Sequence, residues 1–147
     1  IAPYVNSYRR YVANFSAPIN LEWAENNRTT GIRVPISEPE SRRIENRVAG
    51  MDCNPYIGLA ASLACGYLGL KNKLIPRKAV TGEAYDADRD IPPSLREALN
   101  LLDESAEMMD MMGPEFTAVY KAAKHKELED FQEVISPWER EYLLMNV

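Results

Sequence analysis

Seven arginines, five acids and no lysine fall within the first fifty residues of this chain. A guanidinium is a planar fork of donors that grips carboxylate or phosphate oxygens in pairs, whereas an ammonium is a flexible point charge. Using arginine alone therefore points to sites where geometry matters as much as charge. Arg28, Arg33, Arg43 and Arg47 crowd around one carboxylate, Glu45. In an extended chain alternate residues share a face, so Arg43, Glu45 and Arg47 would form one stripe, with Ile44, Asn46 and Val48 behind it. On a neighbouring strand Arg33 would lie opposite Ile32 and Val34 and join the stripe, with Arg28 just before it. A lone glutamate among arginines can neutralise them. It can also supply a hard oxygen ligand to Mg²⁺, which binds through one or two carboxylates plus substrate phosphates. Alternating charged and apolar residues are also what the wet face of any half-buried sheet shows, and spacing alone does not choose among the three.

The elements that must carry this stripe are short. Thr30 to Pro35 and Arg43 to Val48 read as two strands, joined by the proline- and serine-rich turn Ile36 to Ser41 into a hairpin. Asn54 followed by Pro55 is a helix start, since asparagine accepts from first-turn amides and proline at the first helical position needs no partner. That helix is expected to run to about Lys73, and its alanines, glycines and cysteine predict close packing in the core. Ser94-Leu95-Arg96-Glu97 opens another helix with a capping box, ending at Gly113-Pro114, with its methionines in the core. A further helix is expected from Pro114 to Val134, and Ser136 to Glu139 caps a short apolar terminal helix. The fold class is α+β in one domain: residues 1 to 50 strand-rich, residues 54 to 147 helical.

Charge and composition narrow the function classes. Residues 51 to 147 hold ten basic and seventeen acidic residues, and the whole chain carries a net charge of -5. That balance argues against a nucleic-acid partner, which selects a basic face. The apolar run from Tyr56 to Leu70 falls short of the roughly twenty residues a membrane span needs, so no membrane partner is expected. Cys53 and Cys65 lack CxxC spacing and suit a reduced, cytoplasmic protein. His125, between two lysines, is read as solvated and without a role. The chain starts at Ile1 with no leader and is read as trimmed from something larger.

The same residues resemble the glutamine synthetase family in ordered strings. Asn6-Ser7-Tyr8-Arg9-Arg10 is similar to the family's NSYKR segment, and Asn27 to Pro35 to its NRSxxIRxP segment. Arg42-Arg43-Ile44-Glu45-Asn46-Arg47 is similar to RRIExR, and Asn54-Pro55-Tyr56 through Lys73 to the NPY and GIKNK run that closes the core. The resemblance implies the carboxy-terminal part of the catalytic domain, strands in a hairpin followed by helices, with the amino-terminal β-grasp domain lying upstream. It implies an ATP-dependent ligase that phosphorylates the side-chain carboxylate of glutamate for attack by ammonia or an amine. By resemblance Arg10 would hold the glutamate carboxylate, Arg28 and Arg47 would contact glutamate and the transferred phosphoryl group, Arg33 would bind ATP phosphates and Arg43 would lie beside the nucleotide. Glu45 would bind one Mg²⁺ or Mn²⁺. The carboxy-terminal helix would take part in a stacked-ring homo-oligomer.

Two departures from the family pattern bear on substrate and nucleotide. Ammonia-using members carry a flap glutamate in a GYEAP-like string where this chain reads Asn14-Phe15-Ser16-Ala17-Pro18, so Ser16 replaces an ionised carboxylate. The acceptor is then expected to be a polyamine or another primary amine, as in the glutamate-polyamine ligase branch. Near Glu40 the family places a lysine directed at ATP, and this chain does not. Tyr85 falls near a tyrosine that some bacterial members adenylylate and is read as structural. Because the other metal ligands of the family come from upstream, this stretch alone is expected to be inactive. A non-catalytic scaffold or ligand sensor is the alternative, disfavoured by the clustered charge.

Overall fold

A computed structural model describes residues 1–146. Three short strands form one sheet in the order β1-β2-β3, with β1 at Trp23–Glu25, β2 at Ile32–Val34 and β3 at Glu45–Asn46. β2 and β3 run antiparallel, pairing Ile32 with Asn46 and Arg33 with Glu45. The expected hairpin is present but much shorter than its pattern. The linker takes a 3-10 turn at Pro39–Ser41, and regular pairing begins only at Glu45. Sequence reading missed β1, which pairs parallel to β2 with Ala24 opposite Arg33.

Tight crossings and a returning loop hold this small sheet in place. At Gly31 an added Cβ would sit 2.4 Å from the backbone oxygen of Asn20, a fully buried residue, so only glycine lets the two chain segments cross. Asn20 donates its side-chain amide to the Ala84 carbonyl at 2.7 Å. The 77–84 segment returns along β1, where the Val80 amide donates to the Trp23 carbonyl and the Trp23 indole to the Arg77 carbonyl, at 3.0 and 2.6 Å.

Among the described residues five α-helices follow: α1 Pro55–Lys71, α2 Leu95–Glu104, α3 Ala106–Met112, α4 Pro114–Gln132 and α5 Pro137–Tyr142. Asn54 caps α1 as expected, its side-chain oxygen accepting from the Tyr56 and Ile57 amides. Ser94 accepts the Glu97 amide at 3.2 Å, while the Glu97 carboxylate takes the Ser94 hydroxyl rather than a backbone amide. At Ser136 and Glu139 the reciprocal capping box is complete.

The helix expected from Ser94 to Gly113 is broken at Ser105, whose non-helical ψ of 78° separates α2 from α3. Gly113, with a φ of 92°, then turns the chain into Pro114. The core lies between the first residues and α2 and α4, gathering Tyr8, Tyr11, Ile91, Leu95, Leu99 and Leu128. Leu95 and Leu99 are one turn apart on α2, which presents one apolar stripe.

α1 does not occupy the core as its composition predicts. Gly58 and Ala64 are its buried residues, while Tyr56, Leu59, Leu63, Tyr67 and Leu70 are exposed. Apolar residues run round the whole helix, and the short α3 lies against one side, where Ala60, Ala64, Met111 and Met112 line a shared hollow. Cys65 is exposed on α1 rather than buried, and Met111 is also exposed. His125, expected to be solvated, is half-buried on α4.

Candidate active site

Register places the charged residues. Because Arg33 faces Glu45 directly across β2 and β3, the Arg33 Nε donates to Glu45 Oε2 at 2.5 Å. Arg47 follows Glu45 by two residues and therefore emerges on the same face, its Nε 3.7 Å from Glu45 Oε1. The period-two stripe is thus present for Arg33, Glu45 and Arg47: two cations share one carboxylate, and the triad keeps one positive charge. Both arginine side chains are largely covered, at 21% and 16% exposure, while Glu45 stays open at 42%.

Arg47 organises its surroundings through carbonyls. Its Nη1 donates to the Arg28 carbonyl and, at 3.2 Å, to that of Thr30, and its Nη2 to the Ser16 carbonyl at 2.8 Å. Burial lowers the pKa of this guanidinium, Glu45 opposes that and the Arg33 cation adds to it. A guanidinium so placed still remains charged at any physiological pH.

Arg28 reaches the cluster by its backbone, while its side chain is exposed. Residues 27 to 30 are fixed around it by an Asn27 turn, in which Asn27 Oδ1 accepts from the Thr29 amide at 2.9 Å and hydroxyl at 2.8 Å. Thr29 in turn accepts the Ala84 amide at 2.8 Å, and Asn27 donates to the Gly82 carbonyl at 2.6 Å. Asn27 and Thr29 are positioning residues that charge spacing does not single out, although Asn followed by Thr two residues on is a turn signal.

Arg10 leaves the end of a 3-10 turn at Val5–Arg10 and points under β3. Its Nη2 donates to the carbonyls of Arg47, Val48 and Ala49 at 2.8, 2.7 and 3.1 Å, and the guanidinium lies 4.7 Å over the Tyr11 ring. Its buried Nε has no partner. Tyr11 reinforces the arrangement by donating to the Val48 carbonyl at 2.6 Å. Burial outweighs the opposing Arg10 charge and raises the Tyr11 pKa, keeping the phenol a donor.

Arg43 is the member the structure does not bring in. β3 starts two residues beyond it, so the alternation that would have aimed it at Glu45 is absent there. It is exposed, and its Nη1 donates to the Ser41 carbonyl at 3.1 Å.

The donor set also tests the metal expectation. Among the described residues no three His, Cys, Asp or Glu side chains gather as a metal cage. Glu45 is open and already beside two phosphate-type donors, which fits one carboxylate ligand of an ion that takes its other oxygens elsewhere.

Paired guanidiniums around an exposed carboxylate on a three-stranded sheet are suited to holding carboxylate or phosphate oxygens. The glutamine synthetase catalytic-domain family matches residues 1–143, and the chain belongs to that family. It is 36% identical to the γ-glutamylputrescine synthetase PuuA of Escherichia coli K12, over 99% of this chain and 31% of the relative. It is 36% identical to the γ-glutamylethanolamide synthetase GlnA4 of Streptomyces coelicolor, over 94% of this chain and 30% of the relative. The glutamine synthetase of Methanosarcina mazei is 33% identical over 93% of this chain and 33% of its own length. A solved GmaS/ADP complex superposes with a TM-score of 0.86 at 26% identity, covering 98% of this chain and 35% of GmaS. Ligand-free GmaS gives 0.84 at 28% identity, over 97% and 33%. The chain therefore spans about a third of the proteins it matches. Its α+β fold is that of the carboxy-terminal portion of their catalytic domain. Among the described residues no helix is long and apolar enough to cross a membrane.

Proposed function

We propose that this chain carries the arginine side of the active site of an ATP-dependent glutamate-amine ligase. A glutamate side-chain carboxylate oxygen attacks the terminal phosphorus of ATP, and ADP leaves. The amine nitrogen then adds to the acyl carbon, its surplus proton passes to solvent, and the carbon-oxygen bond to phosphate breaks, giving amide and inorganic phosphate. What carries this reading is the net-positive Arg33-Glu45-Arg47 triad, since held guanidiniums with surplus positive charge suit a transferring phosphoryl group.

Arg33 binds ATP phosphates, Arg47 and Arg28 contact the glutamate and the transferred group, and Arg10 holds the glutamate carboxylate. Arg43 lies beside the nucleotide. Glu45 is one ligand of a Mg²⁺ or Mn²⁺, which when bound neutralises phosphate charge. Arg10 fixes the Arg47 carbonyl and Arg47 fixes those of Arg28, Thr30 and Ser16, so the substrate-binding edge is held before ligand arrives. With Ser16 where ammonia-using members carry an acid, the acceptor is a primary amine other than ammonium. The full-length protein is a cytoplasmic homo-oligomer of stacked rings with the β-grasp domain upstream. This stretch by itself lacks turnover, since a single carboxylate cannot assemble the metal site.

The experiment is amide formation by the full-length gene product, followed by mass spectrometry and phosphate release. Amide that depends on both ATP and glutamate is expected. Its absence with ammonium and with every amine tried would leave the scaffold or sensor alternative standing.

A further inference from the structure

Ser7 and Arg10 leave the same face of the 3-10 turn Val5–Arg10, because a helix with three residues per turn stacks side chains three apart. The buried Ser7 hydroxyl accepts the Tyr4 amide at 3.0 Å and donates to Asp52 Oδ2 at 2.6 Å. Asp52 is brought there by a turn at residues 50–53, closed by the Cys53 amide donating to the Gly50 carbonyl at 3.1 Å. Its other oxygen, Oδ1, and Arg10 Nε come together at one spot over Gly50. A Cβ added to that glycine would lie 2.3 Å from Asp52 Oδ1 and 3.7 Å from Arg10 Nε. Asp52 thus spans both side chains of the face, bonded to Ser7 and close to the charge of Arg10 across a residue that has no side chain to separate them.

The three nitrogens of Arg10 divide accordingly. Nη2 is held by three carbonyls, Nε is buried beside Asp52 without a bonded acceptor, and among the described residues Nη1 takes no acceptor either. The Tyr11 ring lies against the guanidinium. A buried N–H with no bonded acceptor is costly, and a carboxylate at its side offsets that cost and opposes rotation of the fork. With Nη2 and Nε occupied on the protein side, Nη1 is the nitrogen left to meet a ligand. We propose that Asp52 is a positioning residue of the ligase: by holding Ser7 and setting the charge beside Arg10 Nε, it aims Arg10 Nη1 at the carboxylate of glutamate. The inference rests on the ligase reading, in which Arg10 holds that carboxylate, and gives Asp52 a part in glutamate affinity rather than in phosphoryl transfer.

The test is steady-state kinetics of the full-length gene product with ATP, Mg²⁺ and glutamate, using 1,4-diaminobutane, ethanolamine or ammonium, whichever turns over fastest. Asp52→Asn keeps the shape and a hydrogen-bonding group for Ser7 but removes the charge. It is expected to raise the KM for glutamate about tenfold, with kcat and the KM for ATP within about twofold of wild type. Gly50→Ala, whose Cβ would push Asp52 Oδ1 aside, gives an independent reading and is expected to raise the KM for glutamate likewise. Ser7→Ala, which leaves the charge in place, is expected to raise it less. In an Arg10→Lys background, where the guanidinium fork is gone, Asp52→Asn is expected to add nothing. An unchanged KM for glutamate in folded Asp52→Asn or Gly50→Ala would overturn the proposal and leave the ligase reading intact. So would a KM for ATP that rises in step, or an undiminished effect of Asp52→Asn in Arg10→Lys. No ATP- and glutamate-dependent amide from the wild-type protein with any of the three amines would overturn both.

Discussion

The sheet carries two charged triads, one near each edge, and they are built to opposite recipes. At the β1 side Arg77 bridges two acids, donating to Glu22 at 2.5 Å and to Asp90 through both Nη atoms at 2.8 and 3.0 Å. At the β2–β3 side two arginines share Glu45. The first has a surplus of negative charge, and both Nη atoms of its fork already bond acids within the chain. It ties the 72–80 segment to the sheet. The second has a surplus of positive charge on largely covered guanidiniums, with an exposed carboxylate at its centre. Salt-bridge count does not separate a clamp from a site; the sign of the surplus does.

The largest expected effect distinguishes these roles. In the full-length enzyme Arg47→Ala should lower kcat/KM for amide formation about 10²–10³-fold, the usual effect of losing one preorganised donor to a developing oxyanion. Arg47→Lys should recover little, because a point charge cannot serve the carbonyls of Arg28, Thr30 and Ser16 and a ligand together. Recovery to near wild type in steady-state kinetics would mean that charge alone matters.

Gly31→Ala comes next. Its new Cβ would lie 2.4 Å from the Asn20 backbone oxygen, so β2 must shift, at a cost of about 1–3 kcal/mol. Thermal denaturation should show the loss, and because Arg33 and the Arg47 amide ride on this crossing, activity per folded molecule should fall too. Normal activity at reduced melting temperature would separate the site from the strand.

The smallest effect belongs to the clamp. The hydrogen bond from Arg77, with the Leu21 amide and the Arg77 charge assisting against desolvation, holds the Asp90 carboxyl below the usual carboxylate range. A depressed folded pKa stabilises fully above the unfolded value, near 4, and the contribution is lost as pH falls through the folded one. Arg77→Ala should therefore lower the melting temperature modestly at pH 7, and the gap to wild type should close as pH falls below the ordinary carboxylate range and Asp90 takes its proton. A gap independent of pH would mean that Arg77 acts by packing.

What could be read beforehand divides along physical lines. Local rules worked: period-two alternation put Arg33, Glu45 and Arg47 on one face, and Asn54, Ser94 and Ser136 cap helices as their side chains dictate. Effects set by distant chain did not show. Arg43 left the stripe because β3 is only Glu45–Asn46, and strand length depends on what pairs rather than on alternation. β1 escaped notice because Trp23–Glu25 is three residues long and gains its partner by parallel pairing. The three carbonyls that hold Arg10 lie 37 to 39 residues away, beyond any local pattern. α1 illustrates the converse: its small and apolar residues predicted close packing in the core, whereas Gly58 and Ala64 are its buried residues and its contacts are with α3.

The account turns on the Arg33-Glu45-Arg47 triad being a binding site for phosphate rather than a second clamp. ADP affinity of the full-length protein in the presence of Mg²⁺, measured by calorimetry for Arg33→Ala and Arg77→Ala, addresses this most directly. Arg33→Ala should weaken ADP about ten- to a hundredfold, the worth of one charge-assisted hydrogen bond, while Arg77→Ala binds as wild type does. Wild-type ADP affinity in Arg33→Ala would contradict the account.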